Sequence, residues 1–219
     1  MFMKNTLLLV AAVSAVAAIA GETEISKDTI QQLIADLVSP NVAPRREHGP
    51  RAIYPPEYDR SAQAKVSRAF NKLYGLGTKG FPFLFDHFED KQYSLTGPGM
   101  VADENKTVGD LCFDILKCHL QPYEPFARNK NWQPTSRLQA PNYFGHFQLR
   151  KPENARTWWE ARHDKSLKDL QIEILEWIVA EEEKNVEKYD ENERDRKQRL
   201  LDRLRESEAG LKPSWPFAR

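Results

Sequence analysis

The densest group of chemically able side chains is Asp86-His87-Phe88-Glu89-Asp90, which sets one imidazole among three carboxylates. Imidazole titrates near neutrality and carboxylates attract cations, so these are parts a hydrolase or metal enzyme centred on His87 would use. On a helix, His87 and Asp90 share one face while Asp86 and Glu89 point elsewhere. A solvated helix end accounts for the same residues. His163, Asp164 and Ser166 have the composition of a catalytic triad, but sequence neighbours rarely reach its geometry. Ser166-Leu-Lys-Asp169 instead has the form of a capping box.

Cys112, Cys118 and His119 lack the paired spacing of zinc ligands. The two cysteines fall in one apparent helix, where a six-residue separation sets them about 9 Å apart, beyond disulfide reach. They are expected as small buried hydrophobes. The sequence holds no Gly-rich phosphate loop, nucleophile elbow, HExxH, EF-hand loop or CxxC pair. No catalytic residue, cofactor-binding residue or metal ligand is therefore assigned.

Two other groups are suited to recognition. Between Gln121 and Trp159, aromatics alternate with prolines, and Trp132, Tyr143, Phe144, Trp158 and Trp159 offer flat rings that stack on a glycan or anchor a protein partner. The same rings are equally what a long irregular segment buries to stay ordered. Far downstream, Leu200, Leu201, Leu204 and Leu211 break a charged tract. They either dock a partner or pack back on the body.

The elements that must position these groups are helical. Ile30, Leu33, Ile34 and Leu37 recur at helical spacing and Ser39-Pro40 stops them. Residues 40–57, with five prolines, read as a long connection. Asp59 or Ser61 caps a second helix with Ala64, Val66, Ala69, Phe70, Leu73 and Tyr74 on its face, and Gly75 and Gly77 mark its end. Pro82 then opens another, closely joined and so antiparallel to it. Thr107-Val-Gly-Asp110 forms a second capping box ahead of Leu111, Ile115 and Leu116. No helical period runs from Gln121 to Asn154. The strongest stripe follows Ser166: Leu167, Leu170, Ile174, Trp177 and Ile178. Beyond Ala180, acid-before-base pairs such as Asp190 with Arg194 predict one long solvated helix projecting from the domain.

The first twenty residues read as an address. Lys4 precedes an apolar run from Leu7 to Ile19, and Ala18-Ile19-Ala20 is a small-x-small cleavage pattern. That run is shorter than the roughly 20 residues needed to span a bilayer. The expectation is a signal peptide at 1–20, cleavage near Ala20, and a periplasmic or secreted mature chain with no transmembrane segment. Lys plus Arg number 32 and Asp plus Glu 32, so the charges balance. A nucleic-acid partner, which demands a basic excess, is not expected.

The run Ser61-AQAKVSRAFNKLYGLGTKGFPFLFDHFED-Lys91 resembles a HEAT-type repeat, in which a helix ends at Leu-x-x-x-Gly and a Pro-led helix ends in an acid pair. Thr107-VGDLCFDILKCH resembles the first helix of a following unit. With the leader, the pattern is similar to that of exported bacterial proteins with degenerate HEAT-like helices. The resemblance implies a mainly α, short and irregular helical-hairpin array over residues 21–180; the aromatic and Pro-rich insertion at 121–154 and the charged helical extension and tail over 181–219 depart from the repeat pattern. It also implies a binding or scaffold role towards an envelope protein, and it carries over no catalytic residue.

Overall fold

The computed structural model describes residues 25–45, 51–98, 103–121, 141–188 and 191–210, and these are mainly helical. The expected leader, Trp132 and Leu211 lie outside the described residues.

Helix α1 (Lys27–Ala35) begins where Ser26 Oγ accepts the Thr29 amide at 3.2 Å, and it buries Ile30, Leu33 and Ile34. Helix α2 (Arg60–Gly75) is capped by Asp59, which accepts the Ala62 amide at 2.9 Å. Its stripe of Val66, Ala69, Phe70 and Leu73 is buried, and α1 packs across it. Gly77, at φ 58°, turns the chain out of α2 in a conformation that a side chain would strain.

The expected Pro-led helix is broken. A single α-helical turn, α3 (Phe81–Leu84), lies between 3-10 turns at Gly77–Gly80 and Phe85–His87. Phe81, Leu84, Phe85 and Phe88 are all at most 1 % exposed. Burial of four bulky side chains, rather than helix length, holds this segment, and its later turns pack on α4 and α6 rather than running back along α2.

An antiparallel hairpin that the sequence did not announce follows, β1 (Tyr93–Pro98) with β2 (Asp103–Thr107). β2 is wholly polar, and the alternation of Tyr93 and Leu95 in β1 is only two residues long, too short to mark a strand. Tyr93 pairs with Thr107 and Leu95 with Lys106, which leaves Ser94 as the extra residue of a bulge. The buried Ser94 hydroxyl donates to the Leu37 carbonyl at 2.5 Å and so ties the hairpin to the end of α1.

Helix α4 (Val108–Leu120) opens with the predicted capping box at Thr107 and Asp110 and is the innermost element. Leu111, Cys112, Ile115, Leu116 and Leu120 are each at most 1 % exposed. Two elements then appear that the sequence did not announce, one inside the Gln121–Asn154 tract and one running on from its end. Asn142 caps the single turn α5 (Tyr143–His146), and Pro152 opens α6 (Pro152–Glu160), which carries both Trp158 and Trp159. Local amphipathic pattern is too short in either to register as a helix.

Helix α7 (Leu167–Lys184) starts at the predicted Ser166–Asp169 box. The charged tract beyond it is not one projecting helix. The chain breaks at Asn185, passes a 3-10 turn at Val186–Lys188, and forms α8 (Glu191–Glu206), which packs back against α7. Leu200, Leu201 and Leu204 close on Leu175 and Ile172 in a small cluster separate from the main core. Lys197 pairs with the buried Glu182, and Lys168 Nζ donates to the Arg205 and Ser207 carbonyls at the end of α8. The acid-before-base pairs raise helix propensity locally, but the three leucines decide where the helix goes.

Two tests follow from this packing. A Cβ on Gly109 would lie 2.5 Å from the Phe88 carbonyl oxygen and 2.9 Å from that of Asp90. Gly109→Ala is therefore expected to cost about 3 kcal/mol in urea unfolding, because the obstacle is backbone and cannot rotate away. Leu204→Glu is expected to strip α8 amides of hydrogen-exchange protection while α4 amides keep theirs, since among the described residues α8 is seated by a cluster shared with α7 and separate from the main core.

Candidate functional site

The open face of the molecule that combines shape with charge lies between α1 and α2. A groove of about 640 Å³ runs there, floored by Leu33, Val38, Val66 and Ala69 and rimmed by Lys65, Arg68 and Lys72. The rim follows from helical geometry: steps of three and four residues return to the same side of α2 and space the cations over about 10 Å. From Arg60 to Phe85 the chain carries Arg60, Lys65, Arg68, Lys72 and Lys79 and no acid at all. Lys65, Arg68 and Lys72 are exposed and have no ion pair among the described residues. The one acid on the rim, Asp36, accepts from Gln32 Nε2 at 2.8 Å.

The groove walls are held by a polar hub at Gln63. Its Oε1 accepts from Ser39 Oγ at 2.7 Å, from Tyr58 OH at 3.0 Å and from Asn41 Nδ2 at 3.3 Å. Its Nε2 donates to the Ser94 carbonyl at 2.8 Å. Asn41 and Asp59 exchange two further bonds, Asp59 N–H to Asn41 Oδ1 at 2.8 Å and Asn41 Nδ2 to the Asp59 carbonyl at 3.0 Å. The exit of α1, the entry of α2 and the hairpin are thus joined through one side chain, which preorganises the groove between them.

The Asp86–Asp90 cluster is dispersed by its environment. Asp86 pairs with Arg156, and Asp90 accepts the Gln92 amide at 2.8 Å. His87 and Asp90 line a second groove of about 360 Å³ together with Ile34 and Gln92. Among the described residues, no three His, Cys, Asp or Glu side chains converge in a way that holds a metal ion. Ser166 is occupied as a cap, donating to Asp169 Oδ2 at 2.6 Å, while His163 Nδ1 donates to the Glu160 carbonyl at 3.0 Å. The three residues of triad composition make no triad contact.

Three of the aromatics suggested for recognition, Tyr143, Phe144 and Trp158, are inside. They are 1 %, 5 % and 5 % exposed, and Trp159 is half-buried with its ring edge-on to Phe81. Trp158 Nε1 donates to Tyr143 OH at 2.8 Å, and that hydroxyl donates to Glu173 Oε1 at 3.2 Å. Burial pushes the Glu173 carboxyl up, but hydrogen bonds from Lys165 and Arg162 outweigh it and hold the group below its ordinary value. Burial likewise raises the Tyr143 phenol to about 12. The faces of Tyr143, Phe144 and Trp158 are thus covered by protein. Leu200 and Leu204 are 6 % and 0 % exposed, spent on the α7–α8 seam.

Sequence reasoning missed the cationic rim because no motif marks it. The signal was present as an acid-free run with cations at three- and four-residue spacing.

Both thiols on α4 are raised to about 12, chiefly by burial, which makes them poor nucleophiles. His119 is a buried titratable group at a junction of helices. Its Nε2–H donates to the Tyr74 carbonyl of α2 at 2.8 Å, its ring stacks on Tyr74 at 4.5 Å, and its own carbonyl accepts from Gln171 of α7 at 2.7 Å. A carbonyl only accepts, so Nε2 carries the proton and Nδ1 is bare, with no hydrogen-bond partner among the described residues.

The chain matches no protein-family model, no curated protein and no solved structure.

Burial lowers the His119 pKa, and the Tyr74 hydrogen bond opposes this without overcoming it. The unfolded chain then binds the proton more readily, so stability is full above the unfolded value of about 6.5 and declines as pH falls through it. His119→Gln is expected to flatten the loss of Tm between about pH 7 and pH 5, measured against the parent chain in the same buffers.

Proposed function

We propose that the chain is an exported binding or scaffold module, built on HEAT-like helices, that makes a protein–protein contact in the bacterial envelope through the α1–α2 groove. The observation that carries this reading is the groove itself: an apolar floor beside three exposed cations that satisfy nothing within the described chain. Unpaired charge of one sign around a recessed apolar floor is what a complementary partner uses for steering and burial. Export is supported by the Lys4, Leu7–Ile19 and Ala18-Ile19-Ala20 pattern. Among the described residues, no helix is long and apolar enough to cross a membrane.

The test is site-specific crosslinking in the intact envelope, with a photoreactive amino acid replacing Ala62 in the groove or the exposed Val186 outside it. A discrete protein adduct from position 62 that is absent from position 186, on a chain recovered outside the cytoplasm without residues 1–20, is the expected result. No adduct, or the same adducts from both positions, would count against the groove as a contact face.

A further inference from the structure

We propose that the occupant of the α1–α2 groove is an acidic amphipathic helix of a protein partner, laid along α2. This rests on the reading of that groove as the contact face and adds the chemistry of what fills it. Lys65, Arg68 and Lys72 rise along α2 at the repeat of an α-helix. Carboxylates at three- and four-residue spacing on a helix lying alongside meet them in register, and the apolar stripe between those acids meets the accessible apolar lining, Ala35, Val38, Pro40 and Ala62. Arg60 and Lys79 extend the same sign of charge to both ends of the segment, and the chain between them offers no acid to compete.

Two other anionic ligands fit less well. A phosphate-bearing polymer takes charge from the rim but gains nothing from an apolar floor. A membrane surface calls for protruding apolar anchors, whereas Val66 and Ala69 are recessed at 1 % and 3 % exposure. Among the described residues, the large hydrophobics that do protrude, Ile25, Val42, Ile53 and Val186, lie off the groove.

The experiment uses the mature chain and two synthetic peptides of about 15 residues, long enough for a helix to form on a surface. One carries a leucine stripe flanked by glutamates and the other has every glutamate replaced by lysine. Fluorescence anisotropy is expected to show binding of the acidic peptide alone, weakened by salt. A Lys65→Glu/Lys72→Glu variant is expected to bind about ten-fold or more weakly, since close opposed charges become repulsive. Both lysines are exposed, so an unchanged Tm confirms that the variant is folded.

Equal binding of both peptides, or undiminished binding to the variant, would overturn the proposal. So would failure of the acidic peptide together with variant-sensitive binding to phosphatidylglycerol vesicles, which would assign the rim to a membrane. If neither peptide binds while position 62 still captures a protein whose adduct survives charge reversal, the partner chemistry is wrong and the contact face stands. If position 62 captures nothing, the contact face itself fails.

Discussion

Helix α4 is enclosed on most of its circumference, and the other elements take their places from the need to cover it. The hairpin delivers the chain into its N-terminus through the Val108 amide, which donates to the Gln92 carbonyl at 2.9 Å. On another side, the Phe85–Asp90 segment approaches so closely that position 109 has no room for a side chain, and the Gly109 amide donates to the Asp90 carbonyl at 3.0 Å. At its C-terminal end, His119 joins α2 above and α7 below. An element buried in this way has to satisfy every polar group internally. That constraint accounts for the full capping box at Thr107, while burial keeps the two thiols quiescent and His119 neutral, at the cost of leaving its Nδ1 without a hydrogen-bond partner among the described residues.

Around this centre the structure is uneven. The main core gathers side chains from α1 to α7, while α8 rests on its own four-leucine cluster and a few ion pairs. Exposed pairs such as Arg205 with Glu176 add little in water. The Lys197–Glu182 pair is different, because Glu182 is only 1 % exposed and loses its counter-charge if α8 lifts. A helix held by one apolar seam and one buried ion pair opens more readily than the body to which it is attached.

The electrostatic organisation is hidden by the balance of the whole chain. Net charge is zero, yet α2 and the turn after it carry only cations, while the last turns of α7 hold Glu181, Glu182 and Glu183 in succession. Zero net charge disfavours a polyanion as an indiscriminate partner, but it does not prevent one face from being strongly basic. The Gln63 hub gives that face a fixed shape. It spends three acceptor contacts and one donor contact on joining α1, α2 and the hairpin, and leaves the rim cations free of internal duties.

Much of the helical framework was legible from local rules. The Asp59, Thr107 and Ser166 caps and the stripes of α1, α2, α4 and α7 follow from hydrogen bonding and periodicity within a few residues of chain, and that range is what a sequence displays. The candidate site was legible only as an unremarked run of cations. Other features depended on contacts across the fold: the polar hairpin, the broken Phe81–His87 segment, the return of α8, and the burial of Tyr143, Phe144 and Trp158 in place of a recognition surface. A ring or a leucine has the same chemistry whether it faces solvent or core. Its role is settled by which surface closes over it, and that surface is brought by residues distant in the chain.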